Sequence, residues 1–465
     1  MRERSGGRTM PDADWAALAS GLDGRVLRPE TLEYEQARTL ANRRFDAVRP
    51  AAIAQCLHAG DVAECIAYAS RQGLRLAIRG GGHSHAGYST GPGLVIDTRL
   101  MRTVTVEEAT VSIGAGALGS EVAPVLSEAG CALPVGGCSS VGLVGLALGG
   151  GLGPCSRAWG LTCDAVAEAD VVTAEGRTLT CSARAGDPHR DLFWVLCGGG
   201  SFGGVVTSMR MSTVPTAGIT ATAYEAHWSF RGAAEMLRGW QQWLLESAPD
   251  ETGSLLTLGT QEGKSSVGVR GVHLGDANAA HSMLDRLEAA VGLAAASRSV
   301  VACTQPWDAL HRLEEGLTAT PQESADLGCV AVKSHILHAP MTGAAMADLV
   351  SAVVALEQSA AAGSISFDAL GGAIARRSPD ATAFPHRRAL AVVQYTCQWA
   401  PLADDVDIHR ERAWLRATHA RMQQHLGVGA YLNYPDDDLP HNAYDYLMHN
   451  HGRLGRVAAR YGALT

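Results

Sequence analysis

No two of the 11 cysteines are spaced C-x-x-C, and their number is odd. That argues against a zinc ribbon and a closed disulfide framework, and reduced thiols in a cytoplasm fit better. Basic runs are missing as well. Lys and Arg total 38 against 47 Asp and Glu, a net charge of −9, so nucleic acid is not an expected partner. The charged start Met1–Arg8 is followed by no apolar stretch, so no signal peptide is expected. Continuous Leu/Ile/Val runs are also lacking. The uncharged stretch Ala129–Ser156 is long enough to span a bilayer, but Pro134 and many glycines break it, and no membrane span is expected. Around Asp436, Asp437 and Asp438 there is no calcium-loop spacing, and His449 and His451 point to alternate faces if extended. No metal is expected, and the three aspartates read as a solvated run or a cap. What remains is ordinary globular composition, 46% hydrophobic and 18% charged.

Glycine is abundant, at 53 residues, and it clusters. The chain is organised around Arg79-Gly80-Gly81-Gly82-His83-Ser84-His85-Ala86-Gly87. Three consecutive glycines have no side chains to pack and leave a backbone that can approach a ligand closely. The histidine at the exit of such a loop is presented rather than packed. A helix is expected near Tyr34 to Arg44. Asp61 and Glu64 read as a capping box, with a helix over Val62–Gln72 closed by Gly73. Leu74–Ile78 and Leu94–Ile96 read as strands on either side of the glycine loop, which completes a βαβ unit. Gly114-Ala-Gly116-Ala-Leu-Gly119 lies between the strand-like Val111–Ile113 and the helix-like Ser120–Ala129. It spells a dinucleotide fingerprint, yet no acid occurs between Glu128 and Asp164 to take the ribose. Those glycines are therefore read as turn and packing residues. The run Pro134 to Gly153 reads as backbone wrapped around something flat or anionic, with amides turned inward.

The ordered set is more specific than any of its parts. Arg79-Gly-Gly-Gly-His83, Leu94-Val-Ile-Asp97, Gly137-Cys138-Ser-Ser-Val141-Gly142 and Leu148-Gly-Gly-Gly151-Leu-Gly153 come first. Trp159-Gly160-Leu161, Asp164 and Asp191-Leu-Phe-Trp194 follow. Ala383-Phe-Pro-His-Arg387, Gln394-Tyr395 with Trp399, Tyr431-Leu-Asn433-Tyr434 and Asn450-His-Gly-Arg453-Leu454 complete it. From Pro50 onward the chain resembles the berberine-bridge-enzyme-like FAD-linked oxidases of the vanillyl-alcohol-oxidase, or PCMH-type, superfamily. The resemblance implies an α+β fold: a two-part PCMH-type FAD-binding domain with an inserted α+β substrate domain, an antiparallel sheet covered by helices. It places the FAD-binding domain at residues 1–215 with its core at 48–215, the substrate domain at 216–426, and a returning C-terminal segment at 427–465. Strands at Ser266–His273 and Ala391–Tyr395 and a helix at Ala345–Gln358 agree with that plan.

The resemblance also implies chemistry. His83 would bond to the flavin 8α-methyl carbon and Cys138 to the sixth ring carbon, a thiolate suiting that attack. Further cofactor contacts would come from Arg79, Gly80, Gly81, Gly82, Ser84 and Gly87 around His83. Gly137, Val141, Gly142, Gly145, Gly149, Gly150 and Gly153 would surround Cys138, with Val205, Asn433 and Asn450 beyond. Val141 matches the position that flanks oxygen's approach. Tyr434 matches the catalytic base, Tyr431 is the second choice, and Gln394 matches a substrate-facing position. An unperturbed tyrosine has a pKa of about 10 and needs a suitable setting to act near neutrality. Two departures stand out. Leu146 replaces a histidine that faces the anionic end of the reduced ring in many doubly linked members, and the chain stops at Thr465 after Arg460-Tyr461 without the family's usual tail. The expected partners are a small-molecule substrate and O2, for a cytoplasmic monomer or homodimer. The expected reaction is oxidation of an alcohol on a sugar or natural-product intermediate with H2O2 released. The alternative is a flavin-dependent oxidative or non-redox cyclase, although Val392 leaves a berberine-type ring closure without its base.

Overall fold

A computed structural model describes residues 14–261, 263–316, 328–359, 362–439 and 444–462. The expectations on Met1–Arg8 and on the tail after Gly462 lie outside the described residues. Four short strands come first: β1 (Arg25–Leu27), β2 (Ala52–Gln55), β3 (Leu76–Arg79) and β4 (Leu94–Asp97), in the order β1-β2-β4-β3. β4 runs parallel to both β2 and β3. β2 and β4 are buried at every residue, as strands covered on both faces must be. The helix Ala59–Gln72 makes the crossover from β2 to β3 and ends at Gly73, whose φ of 62° suits a left-handed cap.

Its start departs from the expected capping box. His58 caps it, its ring nitrogen accepting from the N–H groups of Gly60 and Asp61. Asp61 is buried, and its carboxylate accepts from the backbone N–H groups of Asp23, Gly24 and Leu57 at 2.9, 3.1 and 2.8 Å. The expected helix Tyr34–Arg44 is also shorter, running Leu32–Arg38. A tertiary contact overrides it: the Asn42 side chain exchanges hydrogen bonds with the backbone of Val330 at 2.9 and 3.1 Å, which draws the chain out of the helical path.

β5 (Val104–Glu107) and β6 (Thr110–Gly114) form a hairpin, and β7 (Cys131–Ala132) pairs with β11 (Val214–Pro215). β8 (Val166–Thr173), β9 (Thr178–Ser182) and β10 (Gly204–Ser212) complete a five-stranded antiparallel sheet, β5-β6-β10-β8-β9. The dinucleotide-like glycines take packing roles, as expected. A Cβ at Gly116 would lie 2.1 Å from the Thr98 carbonyl oxygen.

The third sheet has seven antiparallel strands: β12 (Ala221–Trp228), β13 (Leu255–Gln261), β14 (Lys264–His273), β15 (Ser297–Cys303), β16 (Cys329–Leu337), β17 (Ala362–Ala369) and β18 (Ala391–Trp399). Period-2 alternation divides its faces. Leu256, Leu258, Val267, Val269, Ile365, Phe367, Val393 and Tyr395 pack under the helices Ala233–Glu246, Ala277–Val291, Gly343–Ser359 and Asp405–Leu426. Of the residues between them, on the opposite face, Arg270 is exposed, Thr257, Asp368 and Gln394 are half-buried, and Ser366 is buried. The covering helices therefore take one face only. The helix Pro306–Glu315 closes one end of the open face, where Ala309, Leu310 and Leu313 join a core with Ala221, Ala223 and Val272.

After the last long helix the chain returns to that core through Tyr431, Tyr446, Leu454, Val457 and Tyr461. Among the described residues no helix is long and apolar enough to cross a membrane. The fold is mixed helix and sheet with large antiparallel sheets.

Candidate active site

β3 ends at Arg79, and the chain then gives three residues without side chains. A Cβ on Gly81 would sit 2.3 Å from the Gly142 nitrogen, and one on Gly142 would sit 2.5 Å from the Gly81 nitrogen. The two glycine loops therefore touch backbone to backbone, and only glycine allows it. The contact frames a cavity of about 390 Å³. Residues 80–84, Gly137, Cys138, Val141, Gly142, Gly145 and Gly149 line it, and Tyr431, Asn433 and Tyr434 close it from the returning C-terminal segment. His83 and Cys138, read as separate motifs, face the same space.

Several expected contacts do not reach the cavity. Arg79 lies beneath the loop, fully buried, donating to the carbonyls of Ala37 and of Ser89, the latter at 2.9 Å. Its role is to hold the loop's base. Gly87 takes φ 73° against Phe45, and Gly150 takes φ 112° against Phe384. Gly153 approaches the Val135 carbonyl, where a Cβ would lie 1.9 Å away. Strand alternation sends Val205 into the first sheet's core and turns Val206 to the cavity instead. Asn450 spends its amide on the carbonyls of Pro379, Thr382 and Ala383. Gln394 is outside the cavity lining, on the open sheet face in register with Ser334 and Ser366.

A family model described as an FAD binding domain matches residues 50–182. Over 462 residues the chain is 29% identical to the uncharacterized FAD-linked oxidoreductase YgaK of Bacillus subtilis, covering 95% of this chain and 94% of that one. Its fold is similar to that of BBE-like 1 from Physcomitrella patens, with a TM-score of 0.86 at 23% identity over 96% of each chain. It is likewise similar to glucooligosaccharide oxidase from Acremonium strictum, which carries a 6-S-cysteinyl, 8α-N1-histidyl FAD. That match has a TM-score of 0.84 at 22% identity over 97% of this chain and 96% of the other. Residues 50–182 therefore match an FAD binding domain, set in a chain whose fold is that of the BBE-like proteins.

The donor set fits FAD. Side-chain-free backbone lines the cradle, and two nucleophilic side chains face it. His85 lines the cavity, and its Nδ1 is shut off from solvent without a protein hydrogen-bond partner. Burial holds His85 neutral, lowering its pKa to about 4, with the nearby His83 and Arg44 adding to that effect. Burial also lowers the His83 pKa, against the opposing pull of Glu314, so its imidazole is a neutral nucleophile. Cys138 differs from the thiolate expectation. Burial pushes its thiol up, and Ser140 Oγ, 3.3 Å from the sulfur, only partly offsets this.

The tyrosines divide clearly. The Tyr431 hydroxyl accepts from the N–H groups of Gly151 and Leu152 and from the Asn433 amide, at 3.1, 3.1 and 3.0 Å. That oxygen is occupied in holding the glycine run, which makes Tyr431 a scaffold residue. The Tyr434 hydroxyl instead donates to Asp368 Oδ2 at 3.0 Å. Burial raises the Tyr434 pKa, and the Asp368 carboxylate raises it further. Burial also brings Asp368 up to about 6, the hydrogen bond from Tyr434 and the charge of Arg270 offsetting part of the shift. Asp368 is absent from the sequence expectations. The alternation Ser364, Ser366, Asp368 along β17 marks the face it occupies, but no local signal names its partner.

Asp436–Asp438 is not a solvated run. Asp436 is buried, with Lys333 Nζ 2.6 Å away, Asp437 pairs with Arg44 and Arg412, and Asp438 pairs with Lys333 and Arg416. These pairs fix the segment that follows Tyr434.

Proposed function

We propose that this protein is an oxidase for an alcohol group on a polar, hydroxylated donor, a sugar or a natural-product intermediate, with dioxygen as electron acceptor. The observation that carries the reading is the Tyr434–Asp368 pair. It stands where the cavity holding His83 and Cys138 meets the open face of the seven-stranded sheet. His83 and Cys138 would hold FAD covalently. Bound FAD supplies a hydride acceptor that dioxygen reoxidises to give H2O2. The Tyr434 oxygen takes the donor's hydroxyl proton while its own proton passes to Asp368, a carboxylate at neutral pH. A relay is needed because a tyrosine with a raised pKa does not ionise beforehand. Arg270, Thr257, Ser366 and Gln394 offer the donor a polar wall opposite the cradle.

The test is a panel of mono- and disaccharides and hydroxylated aromatics mixed anaerobically with the purified protein. A donor should bleach the flavin absorbance, and air should then restore it with one H2O2 per carbonyl formed. A donor converted with unchanged mass and no oxygen uptake would sink the oxidase reading in favour of a cyclase.

A further inference from the structure

The helix Pro306–Glu315 lies against the seven-stranded sheet, yet its penultimate residue reaches the flavin cradle. Glu314 Oε1 accepts from both the backbone N–H and the hydroxyl of Ser139, each at 2.9 Å and 175 positions away in sequence. Ser139 follows Cys138 directly, so the carboxylate is fixed beside the thiol. The groups that act most on this thiol besides its burial are uncharged or anionic. They are the Ser140 hydroxyl, 3.3 Å from the sulfur, and Glu314 itself. Reactive thiols elsewhere are ionised by a basic neighbour or a helix N-terminus. Here the thiol stays protonated, and sulfur chemistry at Cys138 needs a local proton acceptor.

We propose that Glu314 positions the Cys138 loop and accepts the thiol proton when the sulfur bonds to the flavin ring. This rests on the reading of the cavity as an FAD site with His83 and Cys138 as attachment points. The S–H bond breaks and its proton passes to Glu314, while the sulfur electron pair forms the S–C bond at the ring carbon. The ring hydrogen and the thiol hydrogen leave with two electrons to dioxygen, so one thiol, one ring C–H and one O2 give one thioether and one H2O2. Because Glu314 comes from the substrate-side helix, the second attachment forms only after the two halves of the molecule have docked.

Peptide mapping of the holoenzyme tests this without reference to turnover. After alkylation with iodoacetamide in denaturant, the wild-type His83 and Cys138 peptides should each carry flavin. Glu314→Gln should keep flavin on His83 while Cys138 becomes alkylated in most chains, at least a tenfold loss of the thioether at about pH 7. Incubating that variant in air near pH ~9.5, where a larger share of the thiol ionises, should restore the thioether. Ser139→Ala, which removes one hydroxyl but leaves the carboxylate, should lose far less. A Glu314→Gln protein linked at Cys138 as fully as wild type overturns the proposal. So does one whose defect high pH does not rescue, since that marks a purely structural role. If wild-type Cys138 alkylates freely while His83 carries flavin, the proposal fails and the FAD site stands. If neither peptide carries flavin, covalent attachment itself fails.

Discussion

A carboxyl group drawn part of the way out of water gives up its proton less readily, and half-buried Asp368 shows the consequence. With its pKa near 6, it is a competent proton acceptor for Tyr434 above that pH and an occupied one below it. The rate of anaerobic flavin reduction should therefore rise with pH through about 6 and then level. Asp368→Asn should remove that limb, and Tyr434→Phe should slow reduction by about 100-fold with flavin content unchanged. Either variant reducing at the wild-type rate would move the base elsewhere. Stability has the opposite sign. A carboxyl whose pKa is raised in the folded state favours folding when protonated. That contribution is full below about 4, the unfolded value, and is lost as pH rises through about 6. Wild-type melting temperature should fall over that window relative to Asp368→Asn. Tyr434 is legible in the sequence because it sits in a local motif. Asp368 is not, because its partner lies 66 positions away and only the third dimension joins them.

At the scale of elements, the cradle depends on two loops that touch without side chains. Gly81→Ala places a Cβ against the Gly142 backbone, which has no flexible end to yield. Such overpacking should cost about 1–3 kcal/mol and release flavin on gel filtration if the His83 bond has not formed. Gly455→Ala is the matched control. It lies inside the helix His451–Tyr461 with nothing within 4 Å of an added Cβ, so it should stabilise by about 0.5–1 kcal/mol. Equal melting temperatures for the two variants would remove the close-contact argument. The glycine loops, the βαβ crossover and the strands β3, β4, β6, β14 and β18 could be read from spacing. Helix starts could not where a distant group intervened: Asp61 serves the backbone of residues 23–24, and Asn42 serves Val330.

For the whole molecule, two motifs matched separately in the sequence hold each other. Arg387 and Asp164 form a buried pair at 2.7 Å, with side chains 0% and 4% exposed, joining the end of the glycine-rich region to the segment after β17. Replacing Arg387 by Leu leaves the buried aspartate with the Leu161 N–H at 2.9 Å and the half-exposed Arg377, whose Nε lies 3.2 Å away. A loss of about 3 kcal/mol is expected, read as a lowered urea midpoint at fixed FAD concentration. An unchanged midpoint would show that Arg377 compensates fully. The order of the motifs is legible in one dimension. Their mutual grip is not, since it spans 223 positions.

The bare face of the seven-stranded sheet has a consequence for how such a protein changes over time. Away from Asp368 and from the end closed by the helix Pro306–Glu315, its half-buried and exposed residues lie under no covering helix, so substitutions there disturb little packing and fall among those that cost within about half a kcal/mol. The cradle lies on other elements and tolerates almost nothing. A lineage can therefore try new donors by drifting at positions such as Thr257 and Gln394 while the redox machinery stays as it is. Inventiveness and conservatism are housed on opposite walls of one cleft.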